Sequence, residues 1–231
     1  MNAPSATLDL STFTAPGWLE TGSPVDIVLW AAETFGDHTV ATCSFGDALL
    51  PHIISVAAPQ TEVVMLDTQY LFAETKWFAT KLAADLGLNL TIVEPKPTIV
   101  RDDLWQENID QCCFVRKVEP LQRALDGRHA WISGLRRSES PARANTKIAV
   151  FDPFRNLVKI NPLAAFTDED AEAYLREHGL PEHPLTAKGY PSIGCWPCTS
   201  PVAPGADPRS GRWAGSGKTE CGLHLAGSSA S

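Results

Sequence analysis

The first 75 residues of this 231-residue chain contain no lysine or arginine; the first basic side chain is Lys76. They hold nine carboxylates, which leaves 18 of the 27 acidic residues to face all 19 basic ones in the rest of the chain. The net charge of −8 is therefore a property of the N-terminal third. An acidic total argues against broad nucleic-acid binding, and side-chain cations for a small anionic ligand have to come from beyond residue 75. No run of about eighteen apolar residues is present to span a membrane, and the chain does not open with the basic start and apolar stretch of a secretory signal. A soluble, cytoplasmic protein is expected. In that compartment the six cysteines point to metal binding or catalysis rather than to disulfides.

What is present is a strand–helix alternation. TVATCSF (39–45), the continuous apolar run TEVVMLD (61–67), LTIVEP (90–95) and AWISG (130–134) read as strands. Between them, 48–57 is apolar and helix-like, and Leu71, Phe78, Leu82 and Leu86 share one helical face that stops at Gly87. Pro120 opens a short helix ending at Gly127, and Thr167, followed by Asp168, Glu169 and Asp170, caps a helix running to His178. The pattern predicts an α/β fold with a doubly wound, mostly parallel sheet and ligands at the carboxyl ends of its strands, around 44–47, 67–70 and 134–137. The division expected is a loose lead-in over 1–24, an α/β domain over 25–180, an irregular segment over 181–213, and a flexible tail over 214–231. No self-similar repeat occurs, and periodicity fades after Pro181, so that segment needs a support other than a large core.

The cysteines offer one. Cys195 and Cys198 stand in C-W-P-C, and Cys112 and Cys113 are adjacent. Two pairs flanking an α/β body suit a four-thiolate site, for zinc or for a [4Fe–4S] cluster; buried cysteines without metal are the bland alternative. Cys43 lies inside a predicted strand and reads as core. Cys221 is different: in KTECGLH it stands on glycine-rich, chain-terminal ground, so it is either incidental or a reactive thiol on a movable arm. AGSGKT (214–219) imitates the end of a phosphate-binding loop, but the required earlier glycine falls on Arg212 and no strand precedes it, so a hinge is the better reading.

The motifs SFGDALL (44–50), LDTQYLFAET (66–75), CCFVRKVEPL (112–121), GLRRSESPARAN (134–145), GYPSIGCWPCT (189–199), GRW (211–213) and KTECGLH (218–224), in this order, resemble those of the assimilatory adenylyl-sulfate reductases. These form the iron–sulfur branch of the phosphoadenylyl-sulfate reductase family, and the resemblance covers nearly everything from Thr39 to Leu225. It implies an adenine-nucleotide alpha-hydrolase-like sheet, a [4Fe–4S] cluster on Cys112, Cys113, Cys195 and Cys198, and Cys221 as the nucleophile. It further implies adenylyl sulfate as substrate and thioredoxin as electron donor, with a cysteine S-sulfonate between them. A homo-oligomer is compatible with the sequence.

Such chemistry needs cations for the sulfate and phosphate, and Arg136, Arg137, Arg209, Arg212 and Lys117 are the candidates. Ser44, Gly46, Asp67 and Gly134 are expected at the nucleotide, although S-F-G-D is sparse in glycine for a loop that grips phosphate. His224 either ionises the thiol or contacts substrate. Asp47 would face an anion, so it is expected to orient an arginine or a backbone group. Gln69 stands where many relatives have glycine. The alternatives are a 3′-phosphorylated or dual substrate, an ATP-dependent sulfurtransferase, and a zinc-bound interaction module.

Overall fold

The computed structural model describes residues 9–224. The first eight residues of the expected lead-in and the last seven of the expected tail lie outside the described residues. Six strands, β1 (Thr39–Thr42), β2 (Glu62–Leu66), β3 (Asn89–Val93), β4 (Ala130–Ser133), β5 (Ala149–Asp152) and β6 (Leu157–Ile160), form one sheet in the order β3-β2-β1-β4-β6-β5. All pairs are parallel except β5 with β6. The sheet is thus the mostly parallel one that the alternation predicts.

The helices are α1 (Pro24–Phe35), α2 (Leu49–Ala57), α3 (Ala73–Leu86), α4 (Leu104–Glu107), α5 (Ile109–Cys113), α6 (Glu119–Leu125) and α7 (Asp168–Glu177). Register decides which helices cover which face. Ala41, Val63, Met65, Ile132, Val158 and Ile160 point into a core closed by α1, α2 and α3. Their neighbours Val40, Val64, Trp131 and Leu157 pack on the opposite face against Leu121 and Leu125 of α6. This is the two-residue alternation of a pleated strand buried on both sides.

Three parts of the fold differ from the sequence reading. Helix α1 is unforeseen, although Ser23 accepts from the Asp26 N–H as its cap, Pro24 sits in its first turn, and Ile27, Val28, Ala31 and Phe35 form its buried stripe. The β5–β6 hairpin was also missed; its turn carries Asn156 at φ +52°. The lead-in expected to be loose is docked between residues 9 and 24, because Leu10 and Leu19 are buried in the main core.

Candidate active site

The sheet extends from β1 to β2 and β3 on one side and from β4 to β6 and the edge strand β5 on the other, so the order reverses between β1 and β4. A cavity of about 280 Å³ opens there, at the carboxyl ends of the strands. The turn after β1 supplies Ser44 and Gly46, and the turn after β4 supplies Gly134 and Arg136. Phe45 holds the first turn in the left-handed region at φ +53° with its ring buried, which presents Ser44 and Gly46 to the cavity. Asp47 accepts from the Leu49 N–H, at the start of α2, at 2.9 Å, so it serves a backbone group. Gln69 stands at φ +67°, the left-handed backbone that glycine adopts most readily.

Two expected site residues point elsewhere. Asp67 is buried beneath the turn after β2, paired with Lys76 at 2.6 Å and accepting from the Gln69 N–H; Thr68 lines the cavity instead. Arg137 faces away, donating to the Thr146 carbonyl and to Glu20. Adjacent residues in an extended turn face opposite sides, so only one of two neighbouring arginines can enter the cavity.

The C-terminal segment forms the cavity's other wall with Pro191 to Gly194, Arg209 and Arg212. It is stitched to the domain by a bridge between Leu71 and Cys195 and by the Trp196 N–H on the Tyr70 carbonyl. Internally, Thr199 bridges Arg212 and the Ser200 N–H donates to the Gly211 carbonyl. Trp213, buried at φ +51°, stacks under Arg212 with the guanidinium 4.6 Å from the ring centre. Arg212 lies over Gly194, where a Cβ would collide with the guanidinium.

The described part of the tail, expected to be flexible, is fastened across the cavity. Lys218 pairs with Asp110, Glu220 with Arg143, and the Leu223 carbonyl accepts from Arg155. Leu223 packs on the apolar face formed with α6. Cys221 is thereby set in the cavity wall beside His224. The His224 ring lies parallel to Trp131 at 5.5 Å, and its Nδ1 accepts from the Lys159 ammonium at 3.2 Å. Desolvation and the cations Lys159, Arg143, Arg155 and Arg209 push its pKa well below the usual histidine value. His224 is therefore neutral with its proton on Nε2, a hydrogen-bond donor and not a base for Cys221.

A second, smaller cavity lies next to the first and is lined by Cys112, Cys113, Cys195 and Cys198 with Tyr70, Trp105 and Arg116. Lys117 and Cys195 line both cavities. Cys112 and Cys113 end α5, and the next five residues, Phe114–Val118, are π-helical. That widened turn aims Arg116 and Lys117 at the two neighbouring cavities. Burial pushes the Cys112 and Cys113 thiols up to about 11, opposed by Arg116 and Lys117 respectively. Burial works against the Lys117 ammonium, yet the neighbouring sulfurs of Cys195, Cys221 and Cys113 outweigh it and hold its pKa above the usual range. Among the described residues, no three His, Cys, Asp or Glu side chains converge as a single metal ion requires; the four thiols ring a cavity instead. Arg116 is fully buried there, and its Nε and Nη1 find no acceptor among the described residues. Cys43 packs in the main core.

Four residues at the site escaped the sequence reading. Arg143 and Glu220 stand inside motifs already singled out, but neither motif says that they meet. Trp131 and Lys159 are cross-strand partners in register, a relation that no linear pattern displays.

Residues 38–201 match the model of the phosphoadenosine phosphosulfate reductase domain family. The chain belongs to this family. An adenosine 5′-phosphosulfate reductase of Streptomyces coelicolor is 45% identical over 89% of this chain and 90% of its own length. One of Rhodococcus opacus is 41% identical over the same shares. A crystal structure of phosphoadenylyl-sulfate reductase from Candida auris, in a phosphate complex, superposes with a TM-score of 0.70 at 28% identity, over 82% of this chain and 99% of that one. The family match ends at residue 201, so the GRW and KTECGLH motifs lie beyond it.

Proposed function

We propose that this member of the family reduces adenylyl sulfate to sulfite and AMP, with Cys221 as the nucleophile and thioredoxin as the electron donor. The observation that carries the reading is the meeting of Cys221, Lys117 and Arg212 around a cavity at the sheet's switch point, and the relatives named adenosine 5′-phosphosulfate reductase support the choice of substrate.

In the first step the Cys221 thiolate attacks the sulfur of the bound sulfate ester. An S–S bond forms, the bond from sulfur to the bridging phosphate oxygen breaks, and AMP leaves with that electron pair. Charge develops on the phosphate, where Lys117 and Arg212, which both line the cavity, stabilise it. Neutral His224 donates its Nε2–H toward the reacting group. A thioredoxin thiolate then attacks the Cys221 Sγ, sulfite leaves with the pair of the broken S–S bond, and the second thioredoxin thiol resolves the mixed disulfide. The dithiol thus supplies both electrons.

Cys112, Cys113, Cys195 and Cys198 would hold a [4Fe–4S] cluster. Four thiolates around a cavity match its donor set, and the unpartnered N–H groups of buried Arg116 match its negative charge. Bound there, the cluster would anchor the segment over 181–213 and would supply an electrostatic field next to Lys117.

Incubation with adenylyl sulfate and no thioredoxin tests the reading. Intact mass should rise by one SO₃, about 80 Da, on the peptide holding Cys221, as covalent intermediates accumulate when the next step is withheld. Reduced thioredoxin should then release sulfite. Sulfite production with no adduct on Cys221 would overturn the assignment, and competition with the 3′-phosphorylated nucleotide reports substrate choice.

A further inference from the structure

We infer that Glu220 is the positioning residue that holds Cys221 over the cavity, with Arg143 as the fixed half of the latch. The inference rests on Cys221 being the nucleophile. Glu220 directly precedes Cys221, and its carboxylate is gripped at both oxygens: Oε1 accepts from Arg143 Nε at 2.7 Å and Oε2 from Nη2 at 2.8 Å. Ser140 Oγ donates to Oε1 at 3.3 Å, and Arg209 Nη2 approaches it at 3.7 Å. Both partners of the pair are largely shielded, with side chains 13% and 14% exposed. Bidentate, shielded, charge-assisted pairs are the strong kind, unlike solvated surface pairs.

Arg143 is itself fixed. Its Nη1 is held by Glu139, whose carboxylate also accepts the Arg136 backbone N–H at 3.1 Å, tying the pair to the turn after β4. Its Nε, Nη1 and Nη2 all donate to carboxylates, so in this conformation its fork is committed to fastening and not to gripping an anion. Lys117 is the contrast: it pairs with no carboxylate among the described residues and lines the cavity. The neutralisation has a second effect. A bare carboxylate beside Cys221 would oppose a thiolate, whereas one paired with Arg143 and approached by Arg209 does not.

The test is single-turnover formation of the Cys221 adduct without thioredoxin, read together with trypsin cleavage after Lys218. Glu220→Gln keeps the shape and loses the charge; adduct formation should slow about tenfold or more, because the nucleophile is no longer held in its attacking position. AMP binding and visible absorption should match the wild type, and the tail should become cleavable. Glu220→Asp should recover part of both effects. Arg143→Met should act like Glu220→Gln, and the double variant should be no worse than either single one, since both remove the same pair. Wild-type adduct rate and tail protection in Glu220→Gln, or additive losses in the double variant, would overturn the latch. An absent adduct on the wild-type protein would overturn the nucleophile instead, and the cleavage assay, which needs no turnover, would still decide the latch.

Discussion

Lys117 shows how one side chain can serve two neighbouring sites. It is a cation without a carboxylate partner among the described residues, between the cavity ringed by four thiols and the cavity closed by Cys221. Lys117→Met should keep the visible absorption and slow adduct formation by about 10²–10³, the size of effect seen when one donor to a developing anion is removed. Single-turnover mass spectrometry measures it. Lys159 makes a different kind of statement. It is 9% exposed, on β6, and burial with Arg155 nearby pulls its pKa from 10.5 down to about 8. Its charge is therefore disfavoured in the folded chain: between about pH 8 and 10.5 the unfolded chain binds more protons, and stability contributed by this group rises with pH through that window. Lys159→Met should accordingly raise the melting temperature at pH 7, by an amount that shrinks toward pH 10.5. The same substitution removes the donor that fixes the His224 tautomer, so activity should fall although stability rises, an expected trade at a functional site.

At the scale of elements, the π-helical turn over Phe114–Val118 and the bridged strip between Thr199 and Arg212 bring the distant cysteine pairs to one cavity. The strip depends on Gly211. A Cβ there would collide with the Ser200 carbonyl oxygen and come within 2.9 Å of the Val202 side chain. Gly211→Ala should destabilise the chain by about 1–3 kcal/mol, as overpacking does, and should weaken visible absorption, because Cys198 and Trp213 lie on the same strip. Thermal unfolding and the absorption spectrum report the two effects. Cys195→Ala should abolish the absorption outright and loosen the whole segment over 181–213, which has little apolar surface of its own. Retention of four irons in that variant would remove Cys195 from the ligand set.

For the whole molecule, the C-terminal segment is docked on the α/β body by a neutral histidine. His183 is 2% exposed; its Nδ1 accepts from the Leu185 N–H at 3.1 Å, leaving Nε2–H to donate to the Thr75 hydroxyl at 3.0 Å. Burial lowers its pKa, with Glu74 opposing. Its stabilising contribution is therefore complete above the unfolded value of 6.5 and is lost as pH falls below that, at up to about 1.4 kcal/mol per pH unit. The melting temperature should drop between pH 7 and pH 5, and His183→Gln should melt lower at pH 7 with a flatter acid limb. Much of this molecule was legible in one dimension. The apolar runs of β1, β2 and β4, the Thr167 cap and the cysteine spacing depend on neighbours in the chain, and so do the motifs that carry the family resemblance. Short-range physics writes such features into short windows. The roles of Arg137 and Asp67, the docking of the lead-in and the closed tail were decided elsewhere. Whether an arginine faces a cavity or a neighbouring loop depends on which partner the fold brings to it. Glu20 reaches Arg137 across 117 residues, and Glu220 reaches Arg143 across 77. Charge pairing at such separations exists only once the sheet has set its strand order, so the latch over Cys221 belongs to the tertiary structure alone.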